Sequence, residues 1–168
     1  LLTVAISAGL WTIHASRLQS FEKPDPGTAL FVFVSRTLPA PYVKQLQNDL
    51  GRLTGLTPIL VVRGLTGNEL IPDVKYWSMA QSGTQLPLWI DPLLYKKYQI
   101  DSVPAFILVT GFDRECPSCP DSADTQAWKV TGAVSVDYAL DLLATASQLP
   151  MALTAQQGFR GWFNGGTR

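Results

Sequence analysis

From Ala29 to Ser35 the chain reads ALFVFVS, a continuous apolar run rich in β-branched and aromatic residues. A run of that kind, with no polar alternation, predicts a strand buried on both faces, as in a parallel sheet. Pro39 and Pro41 follow, and proline is tolerated in a first helical turn. Val43, Leu46, Leu50 and Leu53 then recur at helical spacing, with Gly55 expected as the C-terminal cap. Pro58 to Val62 (PILVV) predicts a second buried strand, and Arg63 to Gly67 a turn. A second helix is expected within Asn68 to Ser82, weakened at its start by Pro72. Leu86 to Ile90 predicts a short third strand. Asp91 as N-cap and Pro92 at the first helical position then open a helix through Tyr98. Ala105 to Val109 predicts another strand, and Trp128 to Thr131 its partner across a polar loop. Ser135 caps a closing helix whose apolar stripe is Val136, Ala139, Leu140 and Leu143.

Strands alternating with helices imply crossover connections and a central sheet covered on both faces, an α/β fold. The last two strands, joined only by a loop, should be antiparallel, so the sheet is expected to be mixed. Residues 29–149 form the expected domain. Before them, Phe21 to Thr28 (FEKPDPGT) reads as a linker, since two prolines and a glycine stop any helix. Leu1 to Ile13 carries no charge and is too short to span a bilayer as a typical helix. It is expected as a leading packing helix with Ile6, Leu10 and Ile13 on one face, a retained export signal being the alternative. Residues 150–168 are expected to be a glycine-rich tail without a regular element. Its Trp162 and Phe163 then become candidate aromatic anchors for a partner, with docking on the domain itself as the alternative.

Composition narrows the function classes. With 168 residues, 46% of them hydrophobic and 15% charged, the chain can bury a substantial core. Thirteen basic residues balance thirteen acidic ones and no basic run occurs, which argues against duplex nucleic acid as a partner. No Walker-type or dinucleotide glycine pattern is present, and no cofactor is expected. His14, the one histidine, lies outside the expected domain, so a Ser-His-Asp arrangement has no base to use. Asp49, Asp73, Asp91 and Asp101 show no pairing that suggests acid–base work.

The remaining chemistry-bearing motif is Cys116-Pro117-Ser118-Cys119, in the loop between the last two strands. Pro117, Pro120 and Asp121 make that loop a breaker-rich turn with no helix start to acidify a thiol, and Glu115 and Asp121 oppose a thiolate. Four fates stay open for the pair: a structural disulfide clipping the loop if the protein is exported, two free thiols, a redox role, or metal ligation. The structural disulfide is the expectation carried forward. Metal is disfavoured because no second cysteine pair exists and only one histidine does.

Tyr98-Gln-Ile-Asp-Ser-Val-Pro-Ala-Phe-Ile-Leu-Val109 and Lys129-Val-Thr-Gly-Ala133, in this element order, resemble the thioredoxin superfamily. The resemblance implies a cis bond at Val103-Pro104, facing the turn Ser35 to Pro41 where that superfamily carries its reactive thiol. Here that turn has no cysteine. A narrower set of segments is similar to the TrbC family of F-type conjugative transfer systems. These are Phe33-Val34-Ser35 with Leu38-Pro39, Val61-Val62-Arg63-Gly64-Leu65, Ile90-Asp91-Pro92-Leu93-Leu94-Tyr95-Lys96-Lys97-Tyr98 and the closing Val134 to Leu140. That resemblance implies a non-enzymatic periplasmic factor for pilus assembly, which binds another protein of the secretion apparatus (TraW-like) and has no direct small-molecule substrate. Arg36, Thr37, Leu38, Arg63 and Val103 are the candidate partner surface in the groove such a fold leaves, with Pro104 structural. Ordinary packing is the alternative for Leu38, and a salt bridge to Asp91 the alternative for Arg63. The contrasting class is a thiol-disulfide oxidoreductase or isomerase working through Cys116 and Cys119.

Overall fold

The computed structural model describes residues 27–64, 75–77 and 86–165, the last four of these as backbone only. The expected leading helix, most of the linker, and nearly all of the expected second helix lie outside the described residues; residues 75–77 are helical.

Five strands form one mixed sheet in the order β3-β2-β1-β4-β5. β1 (Gly27–Val34) is central, parallel to β2 (Pro58–Val62), with Phe31 opposite Ile59 and Val34 opposite Val62. β2 is parallel in turn to the short edge strand β3 (Leu88–Ile90). On its other side β1 is antiparallel to β4 (Ala105–Phe112), which pairs antiparallel with β5 (Gln126–Thr131). The continuous apolar runs are therefore the inner strands, as their lack of alternation requires. Strand β1 begins at Gly27, two residues inside the stretch read as a linker, and β3 is shorter than expected.

The two faces of the sheet carry separate cores. Leu30, Val32 and Val34 point to the face covered by α1 (Ala40–Leu50) and α3 (Val136–Ser147). Phe31 and Phe33 point to the other, where Leu94 and Tyr95 of α2 (Pro92–Lys97) pack with Ile107 and Val109. Phe31, Phe33 and Phe106 are fully buried, each stabilising the fold by about 2–3 kcal/mol. Ser135 and Asp91 cap their helices as expected, Asp91 through bonds from the Leu93 and Leu94 amides at 2.8 and 3.0 Å. Helix α1 stops earlier than its stripe suggested. Gly51 occupies the C-cap in an ordinary right-handed conformation, while Gly55, at φ +80°, serves a later turn.

The expected irregular tail is corrected by a sixteen-residue helix, α4 (Pro150–Gly165). Its Ala152, Ala155 and Phe159 are buried in the same core as α1 and α3. Glycine in a helix interior costs about 1 kcal/mol in propensity, which is why this segment reads as a tail. The structure gives Gly158 a packing role: a β-carbon there would lie 2.9 Å from the Thr54 hydroxyl oxygen. Arg160 ties the helix to α3 through Asp137 at 2.8 Å and Asp141 at 3.3 Å, and Gln156 donates to Asp141. The architecture is a thioredoxin-like α/β fold, with Val103-Pro104 in the cis form.

Candidate functional site

Where β1 and β2 end, the chain leaves a cleft off the carboxyl ends of parallel strands, a usual position for ligand sites in α/β sheets. It holds about 630 Å³ and is lined by Val34, Ser35, Arg36, Val62, Arg63, Gly64, Trp77, Tyr95, Ile100, Asp101 and Val103. One wall is the turn before α1. The Leu38 amide donates to the Ser35 carbonyl at 3.1 Å, and the Thr37 amide to the Ser35 hydroxyl at 3.3 Å. Proline occupies the N-cap and first turn of α1, so this helix start lacks a side-chain cap and one backbone donor. The opposite wall is the loop ending at the cis bond, with half-buried Val103 facing in.

The floor is built by α2. The Tyr95 hydroxyl donates to the Val34 carbonyl at 2.7 Å and lies 3.2 Å from that of Val61, covering the ends of both strands. Its ring packs edge-on against Phe33 at 4.9 Å. Burial pushes the Tyr95 phenol up to about 12, outweighing the pull of the Arg63 charge in the other direction. Tyr95 is therefore a neutral donor at physiological pH. Arg63 lays its guanidinium over the Tyr95 ring at 4.9 Å and donates to the Ile100 carbonyl at 2.9 Å. The Arg63–Asp91 salt bridge considered from sequence does not form, because the Asp91 carboxylate is engaged in capping α2. Arg36 stands over Tyr76 at 5.8 Å.

Of the residues singled out in sequence, Ser35, Arg36, Arg63 and Val103 come together in the cleft. Thr37 is exposed beside it, outside its lining. Leu38 is half-buried against the α1 core, its carbonyl accepting from the Tyr76 hydroxyl at 3.1 Å, which is the packing role weighed for it. Trp162 and Phe163 belong to α4, and their side chains lie outside the described residues. Sequence reasoning missed Trp77, Tyr95, Ile100 and Asp101. Tyr95 had a usable signal, being one turn into a helix that starts directly after a strand end.

The cysteine pair is elsewhere. Cys116 and Cys119 form a disulfide in the β4–β5 connection. Because β1 and β4 are antiparallel, with Gly27 opposite Phe112 and Phe33 opposite Ala105, this loop leaves from the pole of the sheet opposite the cleft. The eight residues of β4, about 25 Å of strand, separate it from the cis-proline. The Asp113 carboxylate accepts from the Glu115 amide at 2.8 Å to start the turn. Lys97, from the last turn of α2, donates to the Pro117 and Cys119 carbonyls at 3.0 and 2.9 Å and pairs with Asp121 at 2.6 Å.

A family model described as "Type-F conjugative transfer system pilin assembly protein" matches residues 32–143, from β1 through most of α3. The chain belongs to that family. The match takes in both walls of the cleft, α2 and the disulfide loop, and stops before α4. Comparisons with curated proteins and with solved structures found no match. Membership of the pilin assembly family places the protein in the conjugative transfer apparatus, whose other components are its expected partners. Among the described residues, no helix is long and apolar enough to cross a membrane.

Proposed function

We propose that this pilin assembly protein acts without catalysis, in the periplasm, by holding another component of the transfer apparatus (TraW-like) in the cleft between Ser35–Arg36 and Val103. The observation that carries this reading is the separation of sulfur from cleft. The position facing the cis-proline has no cysteine, while the only cysteine pair is a disulfide at the opposite pole of the sheet. Thiol-disulfide exchange needs an acidified thiolate within reach of its substrate peptide, and the turn at Ser35 supplies none. The cleft is open, and Tyr95 and Arg63 fix its floor, which supports docking of an extended segment there.

The test is complementation of a donor strain lacking its own copy of the gene, read as surface pili and as co-purified apparatus components. Val103→Trp, which fills the cleft, is expected to abolish both. The double change Cys116→Ser with Cys119→Ser is expected to preserve both. Pili lost on the cysteine changes, together with turnover of a disulfide substrate by the purified protein, would overturn the reading.

A further inference from the structure

The cleft does not end at Arg63. A second depression of about 460 Å³, lined by Arg63, Pro92, Tyr95, Lys96, Gln99, Ile100 and Asp101, shares Arg63, Tyr95, Ile100 and Asp101 with it. Together they make a trough that crosses the Arg63–Tyr95 stack. Among the described residues, the trough carries the Arg63 guanidinium and the Lys96 ammonium against one carboxylate, that of Asp101. Asp101 makes no ion pair within 4 Å among the described residues, and none of their carboxylates pairs with Arg63.

Arg63 is held as a receptor would be. The Ile100 carbonyl fixes one terminal nitrogen and the Tyr95 ring supports the guanidinium plane. A guanidinium has five N–H donors in a planar fork, and among the described residues the Ile100 carbonyl is the one acceptor it meets. The remaining donors suit a carboxylate taken bidentately, and fixing the fork in advance lowers the ordering cost of binding. The two depressions, of about 630 and 460 Å³, have room for far more than one anion, which favours an extended chain bearing the carboxylate over a free ion.

We propose that Arg63 anchors a carboxylate side chain of an extended acidic segment laid across the Arg63–Tyr95 stack. This rests on the docking role proposed above for the cleft, and it names the chemistry of the occupant. The probe is a set of fluorescein-labelled hexapeptide pools, random except for one position fixed as Glu, Gln or Lys, titrated against the full chain by fluorescence anisotropy. The Glu pool is expected to bind at least about tenfold more tightly than the Gln and Lys pools, the range of a charge-assisted bond. Its affinity should fall as salt is raised. R63Q should lose that preference, and R63K, which keeps the charge without the fork, should lose part of it. Equal binding of the Glu and Gln pools by the wild type would overturn the proposal without reference to any variant. Inorganic phosphate displacing the Glu pool as effectively as an unlabelled Glu peptide would overturn it in favour of a free-anion site. Loss of the Glu pool by V103W with retention by R63Q would overturn the carboxylate anchor while leaving the cleft as docking site. Retention by both variants would overturn the cleft reading too.

Discussion

The two poles of the sheet divide between them what a redox protein of this fold keeps in one place. At the carboxyl ends of β1 and β2, a helix start and a cis-proline loop face each other across a cleft with no cysteine in it. At the other pole two sulfurs are joined in a turn with no helix behind them. Helix α2 runs between the two and serves each differently. Its Tyr95 seals the strand ends under the cleft, while its Lys97 grips the carbonyls of the disulfide turn. The CxxC string is thus the same four letters with a different consequence, because thiol chemistry is a property of the thiol's surroundings. One pole holds an open cleft, the docking site proposed above, and the other a loop fastened by a disulfide and a lysine.

The largest expected effect lies at the cleft pole. Tyr95→Ala removes a side chain that is 5% exposed and packed on Phe33, and should destabilise by about 3–5 kcal/mol in urea denaturation. Tyr95→Phe isolates the hydroxyl and should cost about 1–2 kcal/mol, since the Val34 carbonyl loses its 2.7 Å donor. Alkali supplies an independent reading. The folded Tyr95 phenol titrates near 12 and the unfolded one near 10.0. Below pH 10 both forms are protonated and the contribution is whole. Between 10 and 12 the unfolded state alone gives up its proton, so stability falls, by up to about 2.5 kcal/mol. Tyr98, also raised by burial and further by the Asp121 charge, acts in the same direction. Tyr95→Phe should flatten the decline. An unchanged alkaline slope would show that Tyr95 does not seal the cleft floor.

How far this division could be read in the sequence depends on what encodes each part. Unbroken apolar runs announced β1, β2 and β4, because strands buried on both faces tolerate no polar position. Asp91-Pro92 and Ser135 announced two helix starts through local capping chemistry. The missing thiol at Ser35 was legible as well, once the Val103-Pro104 loop fixed which turn it faces. Non-local packing was not legible. Gly158 reads as a breaker until its close approach to Thr54 is seen. The cleft floor was missed for the same reason: Tyr95 reaches carbonyls 61 and 34 residues away in sequence.

A smaller effect is expected from opening the disulfide. A four-residue closed loop constrains the unfolded chain little, so replacing Cys116 and Cys119 by serine should cost about 2 kcal/mol at most. The variant should melt somewhat lower and bind acidic peptide pools unchanged, because about 25 Å of strand lies between loop and cleft. Peptide binding weakened tenfold by the serine pair would join the two poles and break the comparison.

The smallest effect tests what holds the disulfide turn besides sulfur. Lys97 is 13% exposed at its side chain, and its ammonium meets two carbonyls and one carboxylate. The carboxylate belongs to Asp121, whose side chain is 43% exposed, so water screens that pairing. Asp121→Asn should therefore cost about 0.5 kcal/mol, with Lys97 still bound to the Pro117 and Cys119 carbonyls. Lys97→Met removes all three contacts and should cost more, about 1–2 kcal/mol. In a double-mutant cycle the coupling between the two changes should stay within about 0.5 kcal/mol. A coupling as large as the whole Lys97→Met effect would mean that the ion pair, and not the carbonyl pair, fixes the turn. The turn's conformation would then depend on an exposed charge and weaken with salt. A small coupling means that the lysine holds the turn chiefly through the Pro117 and Cys119 carbonyls, so this fastening of the loop should persist at high salt.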